Sequence, residues 1–146
     1  MKYHPDDIAP LDTMAHLQRN ESQFFRSGNY DAIELAGMIA TEALTLGAQK
    51  VHIQSAGEWL TVVADKDWLE GYGHEAFHAI TPFPEAGVNG MLAEVLAVAF
   101  SAGVATATPA GVKVVKGEGS PLAHPLDQGM TRAVAIRRQR GLQPLG

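Results

Sequence analysis

The sequence predicts an α+β fold, a two-layer sandwich in which one mixed or antiparallel sheet of about five strands carries helices packed on one face. Two kinds of observation predict it. Apolar residues recur at helical spacing in separate stretches, and shorter segments alternate at strand spacing in neighbouring pairs joined by tight turns. The length of 146 residues fits a single domain, 1–146, able to bury roughly two-thirds of its unfolded surface.

Residues 1–10 read as an N-terminal arm. A first helix is expected from Leu11 to Arg26, with Leu11, Met14, Leu17 and Phe24 at near-helical spacing. Ser27-Gly28-Asn29 breaks it, and Asn29 is a good N-cap for a second helix carrying Ile33, Leu35, Ile39 and Leu44. Gly47 stops that helix, because glycine reaches the left-handed conformation without a Cβ clash. Lys50 to Ser55 and Trp59 to Asp65 then alternate as an antiparallel pair around Ala56-Gly57-Glu58. Trp68 to Ile80 predicts a short helix weakened by Gly71 and Gly73 and ended by Pro82. A strongly apolar helix is expected from Asn89 to Ala102. Val104 to Thr108 and Val112 to Lys116 read as a second hairpin, and Thr131 to Arg138 as a final strand. The composition of 117–129 predicts a mobile loop, and 139–146 a tail.

Composition narrows the classes of function. Apolar residues make up 46% of the chain and charged ones 18%, a globular balance. A net charge of −5 makes a broad nucleic-acid or anionic-membrane surface unlikely on electrostatic grounds. Cysteine is absent, so neither disulfides nor thiolate chemistry enter. No apolar run reaches membrane-spanning length, and the expectation is a cytoplasmic protein without a membrane partner. The basic cluster Arg132 to Arg140 reads as a solvated tail, and Trp59 and Trp68 as core and rim aromatics.

One helix, a glycine stop, two strands closing on Asp65-Lys66-Asp67, and a glycine-rich turn before another helix follow in unbroken order. Over residues 30–116 this order resembles the GHKL ATPase fold of gyrase-type topoisomerases, MutL mismatch-repair proteins and histidine kinases. The resemblance implies ATP with magnesium: a Glu and an Asn one helical turn apart, an adenine-reading carboxylate at a strand end, and lid glycines over the phosphates. In a gyrase-like register Glu34 matches the general base and Met38 the magnesium-binding Asn. In a MutL-like register Met38 matches the base and Glu42 the Asn. Either way a thioether, which neither transfers protons nor favours a hard cation, stands at one essential position. Asp65 matches the adenine-reading carboxylate, with Asp67 beside it, but Lys66-Asp67-Trp68 lacks the usual glycine. Gly87, Asn89 and Gly90 match the lid, whose amides would cradle phosphate, while Leu92 stands where a further glycine is usual. The implication is a catalytically degenerate nucleotide- or protein-binding domain. The same residues also fit plainer roles. Glu34, Met38 and Glu42 at i, i+4 and i+8 describe a solvated helix face, Asp65 and Asp67 a strand end, and Gly87 and Gly90 ordinary turns.

His74-Glu75-Ala76-Phe77-His78 matches H-E-x-x-H, in which two histidines on one helical face bind zinc and the glutamate activates water. Glu85 or Glu94 would supply a third ligand. The plainer reading is a turn-rich helix with two titratable histidines. Three roles follow: a small regulatory or binding protein with a GHKL-like fold, a zinc-dependent hydrolase, or an α+β protein of unassigned role from a mobile element. The first or third is expected, without enzymatic activity, because every candidate catalytic set lacks a member. The apolar helix from Met91 to Ala102 must be covered by core or by a partner chain, which leads to an expected homodimer or protein partner.

Overall fold

The computed structural model describes residues 10–87, 90–122 and 126–141. Residues 1–9 of the expected N-terminal arm, most of the expected tail and Asn89 lie outside them. Helices α1 (Pro10–Arg19), α2 (Glu21–Phe24), α3 (Ala32–Thr45) and α4 (Glu94–Phe100) lie on one face of a five-stranded sheet. Its strands are β1 (Val51–Ala56), β2 (Trp59–Ala64), β3 (Val104–Thr108), β4 (Gly111–Lys116) and β5 (Arg132–Arg137). The order is β1-β2-β5-β3-β4 and every pairing is antiparallel, so the two-layer α+β sandwich expected from the sequence is what forms.

The two hairpins meet through the last strand. Thr61 of β2 faces Ala135 of β5, and Ala135 faces Ala105 of β3. The inner strand β2 is therefore buried along its whole length, while the edge strands β1 and β4 are largely exposed. On the helical face Leu60, Val62, Val134 and Ile136 meet Leu35, Ile39, Leu92 and Phe100 in the main core. Leu122 and Leu126, from the segment read as a mobile loop, and Met130 after it pack on the far face against Val63, Ala107 and Ala133.

Four boundaries differ from expectation, each for a local reason. The first helix breaks at Asn20, whose side-chain amide donates to the His16 carbonyl, so Leu11 to Arg26 is two helices rather than one. The N-cap of α3 is Asp31, not Asn29: its carboxylate accepts from the amides of Ile33 and Glu34 at 3.0 and 3.1 Å. Its stop at Gly47 (φ +112°) takes the expected form, with Gly47 N–H on the Leu44 carbonyl and Ala48 N–H on that of Ala43, a Schellman motif. Trp68 to Ile80 forms turns and one four-residue 3-10 helix, His74–Phe77, because Gly71 and Gly73 interrupt it.

The apolar helix is shorter than expected. Met91 enters as an isolated bridge to Pro82, and α4 begins only at Glu94. Its residues are buried beneath their own chain except for half-buried Val98, so the apolarity of α4 is met inside the monomer and does not itself call for a partner. The basic cluster is paired within the chain, with Arg138 and Arg140 still exposed to solvent as expected. Arg132 pairs with Asp67, Arg137 with Glu58 while lying over the Trp59 ring, and Arg140 with Glu21. Among the described residues no helix is long and apolar enough to cross a membrane.

Candidate functional site

A groove of about 1030 Å³ runs beside α3, between Arg26 and Thr45 on one wall and Phe83, Ala86, Met91, Ala93 and Leu96 on the other. Fourteen residues of helix rise about 20 Å, so the groove is elongated. Its lining is mostly apolar: Phe24, Ile33, Met38, Phe83, Met91 and Leu96, with Ile33 66% exposed. Glu34 lies in it with its carboxylate accepting from the Arg26 amide at 3.1 Å, and Arg26 is the one cation among the described residues of its lining.

At the floor of the groove Glu42 turns inward. It is 2% exposed, and Glu94 at the start of α4 is fully buried. The indole of buried Trp68 reaches between the two helices, and its N–H is shared by Glu42 at 3.2 Å and Glu94 at 3.0 Å. Glu42 also accepts from the Ala93 amide at 2.8 Å. Burial, a hydrogen bond that the protonated Glu42 carboxyl donates to Glu94, and the like charge of Glu94 all raise the Glu42 carboxyl far above its ordinary range, and the pair retains a proton at neutral pH. The remaining oxygen of Glu94 is buried with no hydrogen-bond partner. A protonated carboxyl locked by an indole and an amide is poorly placed to move protons to a ligand.

The other residues that the sequence singles out are dispersed. Asp65 ends β2 at the surface, where the amides of Lys50 and Gln49 hold its carboxyl below the usual range. Asp67 is bound to the Arg132 guanidinium at 2.8 and 3.1 Å. Neither Asp65 nor Asp67 lines the groove. Gly87 and Gly90 lie next to the groove wall, in the turn after Pro84–Ala86, and their amides already donate to Pro84 and Gly87 at 3.0 and 3.1 Å. A Cβ at Gly90 would collide with the Phe83 carbonyl, so glycine here serves turn packing. Of the described residues of the nucleotide-site set, then, only Glu34 and Glu42 share the groove.

The H-E-x-x-H residues do not sit on an α-helix. His74 and His78 bracket a single 3-10 turn with their Nε2 atoms 2.9 Å apart, in hydrogen bond with each other. Glu85 is exposed on the separate Pro84–Ala86 turn. Among the described residues no group of three His, Asp or Glu side chains is arranged to hold a metal ion.

Sequence reasoning missed the roles of Trp68 and Glu94. A signal was present for Glu94: a carboxyl within a helix apolar on all sides has no solvated face to occupy. For Trp68 there was none, since its partners lie 26 residues away on either side. Compared with known protein families, curated proteins and solved structures, the chain matches none.

Proposed function

We propose that this chain is a non-enzymatic binding protein of GHKL-like arrangement whose groove along α3 receives an apolar peptide segment of a partner protein. One observation carries the reading: the groove's carboxylates Asp31, Glu34 and Glu42 already accept hydrogen bonds within the chain, whereas the apolar side chains of Ile33, Met38 and Met91 are exposed or half-buried along it. The Glu42 carboxyl faces Trp68, Ala93 and Glu94, and the neighbouring Gly87 and Gly90 amides close their own turn. What is left to a ligand is the apolar surface of Ile33, Met38 and Met91 beside the Arg26 guanidinium, over a length suited to a helix or an extended strand. Methionines suit such a surface, because an unbranched thioether adapts its shape to what it meets. A single arginine among Asp31 and Glu34 is a poor match for the charge of a triphosphate. The GHKL-like part of the proposal is supported by the order of elements and by the face of α3 carrying Glu34, Met38 and Glu42, which lies across the groove from Phe83 and Ala86.

The test is selection of peptides from a random library, followed by heteronuclear NMR mapping of the winners beside MgATP. Selected peptides are expected to shift Ile33, Met38 and Met91 resonances and to lose at least tenfold in affinity for Ile33→Asp. Groove shifts with MgATP, and none with any peptide, would replace this reading with the nucleotide one.

A further inference from the structure

Away from the groove, a smaller cleft of about 220 Å³ opens between the His74–Phe77 turn and the β3–β4 hairpin. His74, Phe77, Thr106, Thr108, Lys113 and Arg132 line it. In a chain of net charge −5, this is a local excess of positive groups. Arg132 is balanced by Asp67, but Lys113 has no hydrogen bond or ion pair among the described residues. Partial burial, then the charges of Lys113 and His78, push the His74 imidazole below its ordinary value, so the charges acting on it are cations.

We propose that this cleft binds a small oxyanion of the phosphate class, either inorganic phosphate or the phosphoryl group of a small ester. The donors converge from separate elements. Lys113 comes from β4 and His74 from the 3-10 turn. Thr108 accepts from the Ala110 amide, which leaves its O–H free to donate. Arg132 has five N–H groups, of which three are engaged, two with Asp67 and one with Thr106, leaving two. Donors arriving from several directions match the tetrahedral oxygens of a phosphoryl group better than a planar carboxylate. The neighbouring His78 orients His74, because the 2.9 Å contact between their Nε2 atoms requires one ring to donate and the other to accept.

The test titrates the full-length protein with sodium phosphate, and separately with glycerol phosphate, at constant ionic strength set by sodium chloride. The readout is the imidazole and Lys113 NMR signals. Saturable shifts of His74, His78 and Lys113, with the His74 pKa rising in phosphate, are expected. Response to both titrants marks the phosphoryl group as the recognised unit, and response to inorganic phosphate alone marks the free ion. Lys113→Ala, a change on an exposed edge strand that leaves the core untouched, should weaken binding at least tenfold. Shifts that are linear in concentration and match those with chloride alone overturn the proposal, as does unchanged affinity in both Lys113→Ala and His74→Gln.

Discussion

The Glu42–Glu94 and His74–His78 pairs are each two titratable groups within hydrogen-bond reach, but one lies in the core and the other on the surface. Between α3 and α4 no water-filled surroundings can stabilise two carboxylates, so a proton stays with the pair and Trp68 and Ala93 fill its remaining bonds. On the 3-10 turn the imidazoles lie at the surface, and His74 lines a cleft with Lys113, which has no ion pair among the described residues. The same pairwise chemistry therefore produces a structural cross-link in one place and an open site in the other. Titratable groups close together mark a site for ligands only where something else can still reach them.

The comparison breaks most visibly at Trp68. Trp68→Ala empties the space between the helices and removes the N–H shared by both carboxyl groups, for an expected loss of about 3–5 kcal/mol in denaturant unfolding. Glu42→Gln should act in the opposite direction. The unfolded carboxyl titrates near 4.5 while the folded one stays protonated well above that, so at pH 7 folding must take up a proton. Removing that requirement is expected to stabilise the protein by about 3 kcal/mol at pH 7, a gain that vanishes near pH 4.5. Asp31→Ala deletes the cap that starts α3 and should cost about 1 kcal/mol, read as a lower thermal midpoint. His74→Ala, at the surface pair, is expected to leave stability within about 0.5 kcal/mol of the parent. A large loss there would make the imidazole pair structural and erase the contrast.

Much of the architecture could be read from local patterns. The Gly47 stop, the two hairpins and the final strand depend on spacing and turn residues a few positions apart, and each formed close to where it was expected. The central place of β5 could not be read in the same way, because it depends on pairing with strands far earlier in the chain. Helix ends were misplaced where two good caps stood near each other, as with Asn29 and Asp31, and tertiary hydrogen bonds chose between them. Tyr30 shows how: its amide is held by the Glu21 carboxylate at 2.7 Å, which leaves the next residue to cap. The candidate site was least legible. Glu42 was singled out for its position on a helix face, yet its environment is set by Trp68 and Glu94, which periodicity cannot bring to it.

The central claim is that Glu42 keeps its proton in the folded state and is thereby a structural group at the floor of a binding groove. Unfolding free energies of the parent and of Glu42→Gln, measured from pH 4.5 to pH 7, test it directly, because the titrating groups that do not interact with Glu42 cancel in the difference. The variant should match the parent at pH 4.5 and then gain on it by about 1.4 kcal/mol per pH unit. Two parallel curves across that range would mean that Glu42 is ionised in the folded protein, and would return it to the list of groups free to act on a ligand.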